Sequence, residues 1–205
     1  DPDVAFGRAL IEGGDVVGLA RGLRALERSA PSVQVRAERV ATVELDRLDI
    51  HMIPVRVHFG ARSYLDKVGI TSDEFYAEIE RGTEPPKTSQ PPPGDFRRQF
   101  EFLGSHHSAV ISINLTSRVS GTCAAAQTAA ARSATHGKVS VIDTGNVSAG
   151  QGLIAMYAAE CAAAGYDADR IIAATKAILP RTRSFGVAGS LEYAVRGGRV
   201  PRWVK

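Results

Sequence analysis

The apolar positions of this chain change period several times. Residues 1–36 read as amphipathic helix, with "VAFGRALIEGG" and "VVGLARGLRALERS" carrying apolar residues at helical spacing. Gly13-Gly14-Asp15 breaks the pattern and Pro31 ends it. "RVATV" (39–43) predicts a short strand, "ELDRLD" a helical segment, and "IHMIPVRVHFG" (50–60) a strand with alternating Ile, Val and Phe. Thr71-Ser72-Asp73 then offers a hydroxyl cap and an acidic first turn to "EFYAEIER", whose Phe75, Tyr76 and Ile79 share one face.

The second half repeats one theme. "DFRRQFEFLG" predicts a helix and "AVISIN" (109–114) a strand. An alanine-rich helix follows to about residue 134, and "KVSVIDT" (138–144) is a second strand. The glycine-containing loop "GNVSAGQG" leads into the helix "LIAMYAAECAAA". Asp167 or Asp169 caps the next helix, with Ile171, Ile172, Thr175, Ile178 and Leu179 on one face and Pro180 as its stop. "SFGVAG" suits a strand, and "LEYAVRGGR" a short helix ending in glycines. Alternating strands and helices imply an α/β fold with a mostly parallel sheet flanked by helices. Ligands of such sheets bind at the carboxyl ends of the strands.

Two junctions stand out within this pattern. The first is Ser120-Gly121-Thr122, between the strand "AVISIN" and the alanine-rich helix. A helix start exposes unpaired N–H groups and a partial positive charge. A serine or threonine can cap them, and so can an anion. The second is Lys87-Thr88-Ser89-Gln90, framed by Pro85, Pro86, Pro91, Pro92 and Pro93. Prolines on both sides hold such a segment extended at low entropic cost. Its hydroxyls can bond their own backbone or serve a ligand. Gly197-Gly198-Arg199 allows either a helix C-cap with an exposed arginine or an arginine that meets a phosphate or carboxylate.

Composition narrows the chemistry. Twenty-five basic residues against 22 acidic give +3, too small and scattered an excess to argue for nucleic acid. Aromatic residues are 6% of the chain, few for a base-stacking surface. Cys123 and Cys161 sit in alanine-rich helical stretches and read as small core residues of a reducing, cytoplasmic protein. No segment has the length and apolarity of a transmembrane helix, and residues 1–20 lack a signal-peptide pattern. His106-His107 lacks a ligand cluster at metal spacing, so no metal is expected. Neither a Walker loop nor a Gly-x-Ser-x-Gly elbow is present, and no cofactor is implied. A small-molecule phosphoryl- or acyl-transfer enzyme, holding phosphate at the Ser-Gly-Thr loop, remains an alternative reading. A regulatory protein that meets a partner through residues 1–36 is a third.

Five blocks occur in order: "IHMIPVRVHFGARSYLD", "PPKTSQPPPGDF", "ISINLTSRVSGTCAAAQTAA", "VSVIDTGNVSAGQGL" and "RTRSFGVAGSLEYAVRGGRV". Together they resemble the DegV family of bacterial fatty-acid-binding proteins, over residues 39–205. The resemblance implies a protein that holds a long-chain fatty acid between two lobes. It presents the carboxylate to a separate fatty acid kinase subunit, which makes an acyl phosphate for phospholipid synthesis. The binding protein itself would be non-catalytic. Carried over residue by residue, Thr88 and Ser120 would hydrogen-bond the carboxylate. Gly121 and Thr122 would offer backbone N–H groups, and Arg199 would lie near the head group or the kinase-facing surface.

The resemblance also sets the expected organisation. Residues 1–38 would be a helical extension, 39–180 a DegV-like lobe, and 181–205 the start of a second lobe, incomplete in this chain. Two features depart from the family pattern. "RVAT" runs almost directly into "VELDRLDIHMIP", without the usual Asp-Ser loop and Asp-Leu-Pro turn. A family histidine that helps hold the carboxylate has no counterpart before Lys205.

Overall fold

The computed structural model describes residues 45–82, 85–185, 192–201 and 203. The expected helices of residues 1–36, the strand at 39–43 and most of the strand at 184–189 lie outside the described residues. The described residues of Asp1–His51 and Thr144–Ser184 form one compact unit, and those of Met52–Asp143 and Phe185–Lys205 form the other.

The second unit contains two sheets. In the first, β1 (Arg56–Phe59) lies between β2 (Arg62–Leu65) and β3 (Lys87–Ser89), and both pairings are antiparallel. The strand expected over 50–60 is therefore shorter. Pro54 lacks an N–H for a ladder, and regular pairing begins beyond it. Gly60, at φ +57°, turns the chain back into β2, which the sequence pattern did not indicate. Strand β3 is the centre of the proline-framed segment. It is extended as expected, and its N–H and C=O groups pair with the free edge of β1.

Helix α1 (Ser72–Arg81) covers this sheet. Thr71 caps it, and the capping box is complete. The Thr71 hydroxyl accepts from Glu74 N–H at 3.3 Å, and the Glu74 carboxylate accepts from Thr71 N–H at 2.8 Å. Val57, Phe59 and Ile70 are buried, with Tyr64, Phe75 and Ile79 against them. Arg62 adds an ion pair to Glu78.

The second sheet is the parallel pair β4 (Val110–Asn114) and β5 (Val139–Asp143), joined through α3 (Thr122–Arg132) in a β-α-β arrangement. Helix α2 (Pro93–His106) precedes it and packs on α3. The core of this layer is Phe96 and Phe100 against Ala125, Ala126, Ala129 and Ala130, with Val110 at the strand. The alanines explain how two helices approach with two phenyl rings between them. The α/β class, with parallel strands and flanking helices, is thus present as expected. The three-stranded antiparallel sheet is the feature missing from that expectation.

The first unit is helical in its described part. Residues 45–47 are helical, as read from "ELDRLD". Helix α4 (Ser148–Ala163) packs on α5 (Ala168–Ile178). Gly165, at φ +81°, reverses the chain between them. Asp167, rather than Asp169, caps α5 by accepting from Arg170 N–H at 2.8 Å. Before α4, Asn146 is buried and donates to the carbonyls of Thr144 and Thr182 at 2.9 and 3.2 Å. Both cysteines are buried free thiols. Among the described residues no helix is long and apolar enough to cross a membrane, and no group of three His, Cys, Asp or Glu could hold a metal ion.

Candidate functional site

Strand β4 ends at Asn114, and residues 115–121 carry the chain to α3. Asp143, the last residue of β5, accepts from Ser117 N–H at 3.1 Å and ties this loop to the neighbouring strand. Thr116 is buried beneath it. The loop is therefore anchored at the carboxyl edge of the parallel pair, where α/β folds present ligand-binding groups.

Ser120 is not the N-cap of α3. Gly121 takes that position, at φ −78° and ψ 6°, and has no capping side chain. The Ser120 hydroxyl instead accepts from Thr122 N–H at 3.2 Å and pairs with the Thr122 hydroxyl at 2.8 Å. Each hydroxyl has one hydrogen. Whichever donates within the pair, the other hydroxyl hydrogen stays available to a ligand. The first backbone bond of the helix runs from Ala125 N–H to Gly121 C=O, at 2.9 Å. Ahead of it, the N–H groups of Cys123 and Ala124 have no intrahelical acceptor. The capping reading of this junction is thus met in part, and the geometry is compatible with the anion reading. Serine satisfies one N–H, and two more remain for an acceptor.

Thr88 lies in β3 opposite Val57 and is exposed. Its hydroxyl oxygen accepts from Arg199 Nη2 at 3.4 Å, which leaves its own hydrogen free to donate. Arg199 follows a helix C-terminus of the expected kind. Helix α6 (Glu192–Arg196) ends with Gly198 at φ +73°, whose N–H donates to Val195 C=O at 3.0 Å. The Arg199 N–H donates to Ala194 C=O at 2.9 Å, completing a Schellman motif. A second guanidinium nitrogen donates to Gly197 C=O at 2.5 Å, which fixes the head of the side chain. The C-cap reading of Gly-Gly-Arg and the ligand-facing reading are compatible, because the cap is what orients the arginine towards Thr88.

The two sequence junctions meet through Gln90, the last residue of the proline-framed segment, to which no ligand role was assigned from sequence. A Cβ placed on Gly121 would fall 2.5 Å from Gln90 Oε1, 2.7 Å from Nε2 and 2.8 Å from Cδ. The end of the Gln90 side chain therefore lies against Gly121. Its only advance signals were a position just before Pro91 and a glycine at 121 that needs no positive φ. Ser89 alternates to the other face of β3, where its hydroxyl meets His58 Nε2 at 2.9 Å. Thr88 and Ser120 do not bond each other directly: one turns to Arg199, the other to Thr122.

Cys123 occupies the second position of α3. A helix start would normally favour its thiolate. Burial pushes this thiol up, and the nearby Asp143 carboxylate adds to the effect. It is buried, in surroundings that disfavour its thiolate.

Residues 39–205 match the family model described as "Uncharacterised protein, DegV family". A DegV domain-containing protein of Staphylococcus aureus is 35% identical over 158 residues, covering 77% of this chain and 56% of the relative. Protein DegV of Bacillus subtilis is 35% identical over 153 residues, covering 74% and 54%. Among solved structures, a fatty-acid-binding DegV family protein of Thermus thermophilus superposes with a TM-score of 0.67 at 29% identity, over 75% of this chain and 54% of that one. The fatty-acid-binding DegV of Bacillus subtilis gives 0.64 at 32%, over 68% and 49%. The Fak B3 protein of Streptococcus pneumoniae, solved with linoleic acid, shares the fold at 0.57 and 19%, over 62% and 45%. The chain spans about half the length of the relatives it matches. It belongs to the DegV family.

Proposed function

We propose that the protein binds a long-chain fatty acid and presents its carboxylate to a separate fatty acid kinase subunit. The observation that carries this reading is the α3 start. Backbone donors without intrahelical acceptors sit there beside a Ser-Thr hydroxyl pair, in a chain whose similar solved structures are of fatty-acid-binding proteins. The Ser120–Thr122 hydroxyl pair and the N–H groups of Cys123 and Ala124 hold the carboxylate from the helix side, since the Thr122 N–H expected to serve the ligand is already taken by Ser120. Thr88 donates from β3, and Arg199 places a positive charge beside it.

The two parts of the ligand do different work. Each buried methylene contributes about 0.8 kcal/mol, so fifteen or so give on the order of 12 kcal/mol gross. Hydrogen bonds to a charged head group contribute roughly 1.5–3 kcal/mol each. The tail dominates affinity, and the head contacts select an acid over an alcohol. On this reading the protein is a non-catalytic, cytoplasmic carrier that needs no cofactor. The phosphoryl- or acyl-transfer alternative would use the same anion site. It gains no support from Cys123, whose thiol is held protonated.

The test is a titration of delipidated protein with palmitic acid, hexadecanol and inorganic phosphate. The acid should bind at least tenfold tighter than the alcohol, consistent with one or more charge-assisted bonds. Phosphate binding without acid binding would overturn the proposal in favour of the transfer enzyme. Conversion of the bound acid to acyl phosphate on adding a fatty acid kinase subunit and ATP tests the presentation step.

A further inference from the structure

Gln90 is held in place from both sides. Pro91 follows it and is fully buried, which pins the chain just after the glutamine. A residue before proline is restricted to extended backbone, so the main chain at Gln90 is narrowly set. At the far end the three carboxamide atoms lie almost equally close to the missing Cβ of Gly121. The end of the side chain therefore fills the space beside the glycine.

Gly121 has φ −78°, a conformation open to any residue. What a side chain at 121 would meet is the end of Gln90, not a strained backbone. The carboxamide has no hydrogen-bond partner among the described residues and is exposed to solvent. A polar group with two donors thus lies against Gly121, the residue that opens α3, with no protein partner among the described residues.

We propose that Gln90 is a head-group ligand and the selectivity determinant of this site, with Gly121 as its seat. The inference rests on the fatty-acid reading above. The Gln90 amide donates Nε2–H to the ligand carboxylate alongside the helix N–H groups. A carboxamide adds a donor without adding charge, so the carboxylate meets a donor-rich edge. A long-chain alcohol, which has no charge to stabilise, gains much less from it.

The experiment compares palmitic acid with hexadecanol on the delipidated intact protein and on four variants: Gln90→Met, Gln90→Glu, Gly121→Ala, and Gly121→Ala combined with Gln90→Met. Thermal melts confirm that each is folded. Gln90→Met keeps length but removes the donors, and should weaken palmitic acid roughly tenfold. Hexadecanol should change by less than about threefold. Gln90→Glu sets a second anion against the carboxylate and should weaken the acid further than methionine does. Gly121→Ala should reproduce Gln90→Met, because the new methyl group displaces a flexible side chain rather than backbone.

The combined variant should be no weaker than Gln90→Met alone, since both changes remove one contact. Equal losses for acid and alcohol would overturn the assignment. So would additive losses in the combined variant, which would give Gly121 a role independent of Gln90. Wild-type protein that binds acid, with Gln90→Glu unchanged in its acid-to-alcohol ratio, would defeat the role of Gln90 and leave the fatty-acid reading standing. Wild-type protein that binds no acid would overturn both.

Discussion

Replacing Thr88 with valine removes one hydroxyl and almost nothing else. Valine keeps the β-branch that suits β3, and the backbone pairing with Val57 is untouched. The side chain is exposed, and its one hydrogen bond among the described residues is the 3.4 Å bond from Arg199, near the limit for a hydrogen bond. The cost to folding should stay within about 0.5 kcal/mol. For a chain of this size that is a melting shift of roughly 1–2 °C. Binding should respond differently, because the proposed function assigns the hydroxyl hydrogen left free by Arg199 to the carboxylate. Loss of a bond to a charged group costs about 1.5–3 kcal/mol, or roughly 10- to 150-fold in Kd. Calorimetric titration with palmitic acid and hexadecanol, beside a thermal melt, reads both quantities. Retained acid affinity in a folded Thr88→Val protein would refute the assignment. An equal fall for acid and alcohol would show that the hydroxyl shapes the site rather than binding the head group.

Other consequences follow from packing and protonation. Phe100 is 2% exposed and lies with Phe96 against the alanines of α3, so Phe100→Ala should cost about 3–5 kcal/mol in chemical denaturation. Thr71→Ala breaks the α1 capping box and should cost about 1 kcal/mol at neutral pH. The Glu74 carboxyl is held below its usual range, first by the Thr71 N–H and then by its hydroxyl. Its contribution is present above the unfolded carboxyl pKa and fades as pH falls through the lower folded value. The gap in stability between wild type and Thr71→Ala should therefore narrow on acidification through that window. Cys123, buried and pushed up, should react with iodoacetamide at neutral pH far more slowly in the folded protein than in urea. Equal rates would contradict its burial.

Local chemistry made much of this molecule legible in its sequence. Thr71-Ser72-Asp73-Glu74 carries the signature of a capped helix start, and α1 begins there. "AVISIN" and "KVSVIDT" alternate as strands and pair in parallel, with the alanine-rich helix between them. The proline frame forecasts an extended Lys87–Ser89. Contacts that depend on distant residues were harder to see. "RSYL" is short, half exposed and without a clean apolar face, so β2 has no signal apart from its pairing with β1. Asp143 reads as a strand residue until its carboxylate is found on Ser117 N–H. Gly121 looks like a helix-start glycine, and only the fold reveals that Gln90 occupies the space its Cβ would take. Ser120 bonds a helix-start N–H from one residue ahead of the cap position, an arrangement the tripeptide alone does not distinguish from a cap.

The central claim is that this fold carries a long-chain fatty acid. The most direct measurement is mass spectrometry of the organic extract from purified, denatured protein, with the Ser120→Ala and Thr88→Val proteins prepared in parallel. The account predicts a near-stoichiometric long-chain fatty acid from wild type and a clear reduction from both variants. An extract without fatty acid, from protein that also fails to take up added palmitic acid, would contradict it.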